Sequence, residues 1–157
     1  MRILKKILLL LLVIFVIAQF FRPEKNNGDT ASLNNFIIDT NPSDEVLSVL
    51  KETCFDCHSD FTRYPWYNNI TPVNYWMADH VNHGKGKLNF SKWQGYSVNK
   101  KDHKLEEVVE LVKIKEMPLP SYTWTHSEAK LSDDQIQKIV DWAEKVRLQY
   151  NLMPKPE

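Results

Sequence analysis

Asn41-Pro42-Ser43-Asp44-Glu45-Val46-Leu47-Ser48-Val49-Leu50-Lys51-Glu52-Thr53 runs directly into Cys54-Phe55-Asp56-Cys57-His58. Asn41 suits a helix cap, Pro42 suits the first helical position, and Asp44 and Glu45 fall where the helix dipole favours negative charge. Val46, Leu47, Leu50 and Cys54 share one face, which predicts a helix of roughly three to four turns delivering the cysteines. The pentapeptide that follows has the C-x-x-C-H spacing of a c-type haem attachment site. Thiols three residues apart at a helix end reach the two vinyl groups of one porphyrin, and the next imidazole is carried beneath the iron. The reading is one covalently attached haem c, with Cys54 and Cys57 as thioether partners and His58 as proximal iron ligand. Three other readings compete. A thioredoxin-like dithiol wants a βαβ context, which the sequence does not offer. A zinc site would need His80 and His83 to complete Cys2His2. A structural disulfide would close too short a loop to stabilise much.

The rest of the chain frames that motif. It has 157 residues with Lys+Arg and Asp+Glu both at 20, so formal charge is zero. That balance excludes a large basic face for nucleic acid. Apolar residues at 43% and charged residues at 25% predict one globular domain, and five Trp, six Tyr and seven Phe make it aromatic-rich. At the amino terminus Arg2, Lys5 and Lys6 precede Ile7 to Ala18, a run without a polar residue, closed by Gln19, Phe20-Phe21 and Arg22-Pro23. Basic flank, apolar core and the lack of a small-x-small site read as an uncleaved signal anchor, a transmembrane helix over residues 1–22. The expected location is a bacterial inner membrane with the haem domain facing the periplasm, or the periplasm itself if the segment is cleaved. Residues 23–40 read as a polar linker, and 41–152 as the haem-binding domain.

Three further helices are expected. Thr71-Pro72 opens one with Val73, Trp76, Met77 and His80 on a side and Gly84 as its stop. Asp102 opens the next, with Leu105, Val108, Val109 and Val112 as its stripe and Pro118 as its end. Ser132-Asp133-Asp134-Gln135 is a capping box for the last, lined by Ile136, Ile139, Val140, Ala143 and Val146. Aromatic loops separate them, and no alternating strand pattern appears. The fold class is all-α with long irregular loops.

Met117, 59 residues beyond His58, is the leading candidate for the distal iron ligand. It leaves the third helix where Pro118 forces an extended loop; the competing reading is a core methionine filling a gap. His80 is the second candidate, against a core histidine bonded to a carbonyl or propionate. His83, His103 and His126 read as solvated. Trp66 and Trp76, with Tyr67, Tyr75, Trp93, Tyr122 and Trp124, read as haem-pocket and core packing. Arg63 and Tyr64 are placed to hydrogen-bond a propionate, or lie on the surface. Six lysines between Lys85 and Lys104 form either a docking face for a redox partner or a solvated loop.

Helix, Cys54–His58, a Met-Pro about 60 residues on and a capped final helix resemble a class I monohaem cytochrome c. Arg63-Tyr64-Pro65-Trp66-Tyr67, Ile70-Thr71-Pro72-Val73, His80-Val81, Leu88 to Trp93 and Met117-Pro118-Leu119-Pro120-Ser121-Tyr122 resemble more closely the bacterial haem-binding domain family. That resemblance covers roughly Asn41 to Arg147. It implies a small cytochrome c-like domain, secreted or membrane-anchored, with Cys54, Cys57 and His58 holding haem. The long aromatic insert between Phe61 and Lys101 departs from ordinary class I cytochromes. The expected function is a membrane-anchored monohaem protein passing single electrons to redox partners in the cell envelope. The alternative is a haem-based sensor with an open distal site. No nucleophile, general base or substrate pocket stands out, so no enzyme is expected.

Overall fold

The computed structural model describes residues 2–152; Met1, the first residue of the expected anchor, lies outside them. The helices are α1 (Arg2–Ala18), α2 (Leu33–Thr40), α3 (Asp44–Thr53), α4 (Phe55–His58), α5 (Val73–Lys87), α6 (Val98–Lys113), α7 (Pro120–Thr123) and α8 (Asp133–Leu152), with short 3-10 turns between some of them. Among the described residues the only β pairing is one isolated bridge between Asn27 and Phe61. The all-α expectation agrees with this.

The membrane anchor does not. α1 is 17 residues long, and among the described residues no helix is long and apolar enough to cross a membrane. At 1.5 Å per residue α1 spans about 26 Å, short of the ~30 Å hydrocarbon core. It ends at Ala18 because the chain is captured there by the domain. Gln19 accepts the Thr71 amide at 2.9 Å and donates through Nε2 to the Thr71 carbonyl at 3.1 Å, and the Thr71 hydroxyl donates to the Phe21 carbonyl. The single-pass inner-membrane location inferred from residues 1–22 is withdrawn with the anchor.

The expected linker is also part of the fold. The Asn26 amide donates to Tyr64 Oη at 2.8 Å, and its side chain donates to the Ser59 carbonyl and the Thr62 hydroxyl. Leu33, Phe36 and Thr40 of α2 are buried, and the Phe36 ring lies 4.5 Å from Phe90, 5.1 Å from Trp93, 5.9 Å from Trp142 and 6.2 Å from Phe55. Asn41 caps the end of α2 in a left-handed conformation (φ 40°) rather than the start of α3, where the Ser43 hydroxyl accepts the Val46 amide.

α6 and α8 pack along each other as the main helix pair. Leu105, Val109 and Val112 face Ile139, Val140, Ala143 and Val146 across a common core. Arg147 joins the two helices outside it, with Nε to Asp102 at 2.9 Å and Nη2 to Glu106 at 2.7 Å. The capping box at α8 forms as expected: Ser132 Oγ accepts the Gln135 amide, and Gln135 Oε1 accepts the Ser132 amide. α6 starts earlier than Asp102, at Val98, because the Ser97 hydroxyl caps it. It stops before Pro118, where Lys115 turns left-handed (φ 59°) and the amides of Glu116 and Met117 both donate to the Leu111 carbonyl.

Candidate functional site

Cys54 closes α3, its amide donating to the Leu50 carbonyl at 2.9 Å. The amides of Cys57 and His58 both donate to the Cys54 carbonyl, at 3.2 and 3.0 Å. One tight turn therefore carries both thiols and the imidazole. Phe55 roots this turn in the core against Phe36 and Phe90. Both cysteines are free and half-buried. Burial pushes each thiol up to about 11, with the neighbouring Asp56 charge adding at Cys57. A dithiol redox pair needs the reverse, a thiol lowered toward neutrality. Among the described residues no three His, Cys, Asp or Glu side chains converge to hold a metal ion, so the Cys2His2 arrangement is not formed.

His58 is oriented by its own hydrogen bond. A carbonyl only accepts, so the 3.0 Å contact between Nδ1 and the Leu88 carbonyl places the proton on Nδ1. Nε2 then keeps its lone pair, the state an imidazole needs to ligate iron. Burial lowers the His58 pKa against the opposing carbonyls of Leu88 and Gly84, which keeps the ring neutral near pH 7. α5 reaches this turn through Gly84, where a Cβ would lie 2.7 Å from the Cys57 carbonyl oxygen. Gly84 is thus a close-approach glycine, and α5 runs past it to Lys87.

Asp56, inside the motif, is 6% exposed and saturated with donors. Arg63 gives Oδ1 its backbone amide at 2.9 Å and Nε at 3.1 Å, and gives Oδ2 its Nη2 at 3.0 Å. Tyr122 Oη donates to the same Oδ2 at 2.7 Å, and the Thr62 hydroxyl to the Asp56 carbonyl at 2.6 Å. Arg63, read from sequence as a propionate partner or a surface residue, holds the turn through the Asp56 carboxylate and has a half-exposed side chain.

The remaining candidates spread over different surroundings. Met117 is half-buried and packs, like Cys54, against the main apolar cluster. His80 is partly exposed; its Nδ1 donates to the Trp76 carbonyl at 2.8 Å and its ring sits 4.5 Å from the Trp76 ring. The buried face of α5 carries Asn74 and Val81, so its polarity is rotated from the expected Val73–Trp76–His80 side. Trp66 is 76% and Trp76 48% exposed, whereas Trp93 and Trp142 fill the protein core. Of the six lysines, Lys85, Lys101 and Lys104 pair with Asp60, Asp39 and Glu107.

Leu88 and Asp56 carried no site role in the sequence reading, Gly84 was read as a helix stop, and Tyr122 was read as haem-pocket packing rather than as a partner of Asp56. Their roles are long-range backbone and hydroxyl contacts that leave no periodic trace.

The haem-binding domain model matches residues 13–145. The chain belongs to the haem-binding domain family. Among curated proteins and among solved structures no significant match is found. The matched stretch of this haem-binding domain begins inside α1 and takes in the 19–40 segment, in keeping with the contacts that segment makes. The donor set fits the cofactor: two thiols three residues apart and an imidazole whose Nε2 is free to ligate.

Proposed function

We propose that this haem-binding domain holds one haem c through thioethers to Cys54 and Cys57, with His58 and Met117 as axial ligands, and that it passes single electrons between redox proteins. A six-coordinate haem iron supplies one-electron chemistry without an open site for a small ligand. The observation that carries the reading is the His58 Nδ1–Leu88 carbonyl bond, which fixes the ring's tautomer and direction. Asp56 and Arg63 stiffen the turn that bears both thiols. Met117 supports the distal assignment by sharing the apolar cluster with Cys54 and by following the stop of α6 directly. A carrier needs no substrate pocket. The open groove between residues 23–29 and the Ala78–Lys85 side of α5 has none of these four residues in its wall.

The test is a pyridine haemochrome spectrum after acid-acetone extraction, on protein made with a cytochrome c maturation system. Haem that stays with the chain and absorbs as a c-type derivative supports the reading. Haem that extracts completely overturns the covalent attachment, and a protein without haem overturns the reading altogether.

A further inference from the structure

Tyr122 lies 66 residues from Asp56 in the chain, yet its hydroxyl donates to Asp56 Oδ2 at 2.7 Å and to the Glu52 carbonyl at 3.3 Å. The acceptor cannot swing, because Arg63 occupies both carboxylate oxygens from the other side. Between this contact and the end of α6 runs Met117-Pro118-Leu119-Pro120-Ser121. The upstream end of that loop is pinned by the Glu116 and Met117 amides on the Leu111 carbonyl. Pro118 and Pro120 have no N–H with which to fasten the loop themselves. Downstream the Tyr122 ring stacks on His126 at 4.2 Å and 12°, which holds the ring flat but ties it to nothing outside its own loop. The hydroxyl hydrogen-bonds the methionine loop to the turn bearing the cysteines.

We infer that Tyr122 is a positioning residue: its hydrogen bond to Asp56 latches the Met117 loop to the haem-bearing turn and thereby holds the methionine on the iron. This inference rests on ligation by Met117. Breaking the latch lets the loop lift, and an added ligand then competes for the iron more easily. A hydrogen bond to a charged acceptor supports a change of about tenfold in that competition.

The experiment is imidazole titration of the ferric holoprotein, read together with the weak near-infrared sulfur-to-iron band and the thermal melting temperature. Tyr122→Phe keeps the stack on His126, and is expected to retain covalent haem, weaken the band and bind imidazole about tenfold more tightly. Tyr150→Phe removes a bond of the same kind, the 2.6 Å hydroxyl donation to Asp39 Oδ2, and is expected to leave imidazole affinity unchanged. Wild-type affinity in Tyr122→Phe overturns the latch, as does an equal rise in Tyr150→Phe, which would mark general loosening. If Tyr122→Phe yields no folded protein, Asp56→Asn reads the same affinity: a rise supports the latch, and no change overturns it. Met117→Ala separates the two levels of argument. Loss of the band there upholds methionine ligation, whereas a band that persists sinks that ligation independently of Tyr122.

Discussion

Gly84 of α5 rests against the backbone of Cys57, so closely that a methyl group at Gly84 would overlap the Cys57 carbonyl oxygen. Helix and haem motif share a contact that only glycine permits. In an ordinary helix Gly→Ala gains up to about 1 kcal/mol of propensity. Here the obstructing atom is backbone, which does not rotate away, and overpacking costs about 1–3 kcal/mol. Gly84→Ala is therefore expected to lower the melting temperature and the haem-to-protein ratio together. Unchanged melting with full haem content would show that the contact carries no weight.

Phe36 tests whether residues 33–40 belong to the core. Fully buried and touching four aromatic rings, it is expected to cost about 3–5 kcal/mol on truncation to Ala. A denaturation curve of Phe36→Ala reads this directly. A loss below about 1 kcal/mol would return the segment to the status of a tether.

Asp39 gives the fold an acid-sensitive tie. Burial opposes its ionisation, but hydrogen bonds from Tyr150 (2.6 Å), Lys101 (2.9 Å) and Trp93 (2.8 Å) outweigh it, so its pKa is lowered. A carboxyl with a depressed folded-state pKa stabilises above its unfolded value of about 3.9, and that contribution is lost as pH falls through the folded pKa. Asp39→Asn is expected to melt lower than wild type at pH 7, with the gap closing below about pH 4. A gap independent of pH between 7 and 3 would contradict the assignment.

Arg63 and Asp56 form a fork that lysine cannot copy. Arg63→Ala leaves the buried carboxylate with the Tyr122 hydroxyl and one amide, an expected loss of about 1–3 kcal/mol given that the arginine side chain is half exposed. Arg63→Lys is expected to recover less than half of it, because an ammonium lacks the bidentate geometry. Chemical denaturation of both variants measures the difference, and full recovery by lysine would reduce the contact to simple charge.

The helix leading into the cysteine turn was legible because its signals are local: its acidic first turn, its apolar face, two thiols and an imidazole are contiguous in Asp44–His58. The capping box at Ser132 and the apolar stripes of α6 and α8 were legible for the same reason, since a cap and a 3.6-residue period are properties of one segment. α2 had such a signal in Leu33, Phe36, Ile37 and Thr40, but it was masked by the polar residues on either side. The anchor failed differently. Hydropathy marks the apolar run, whereas its length as a helix is set by Gln19 binding Thr71, a contact between residues 52 apart.

By itself, then, the sequence pointed to haem binding, which the family match supports, and to the all-α character of the chain. Tertiary structure alone decided which histidine nitrogen is free, which face of α5 is buried, and how the Met117 loop is tied to the motif. Each of those depends on a carbonyl, a glycine or a hydroxyl brought in from a distant part of the chain. Such groups are common to every sequence, and only the fold makes them partners.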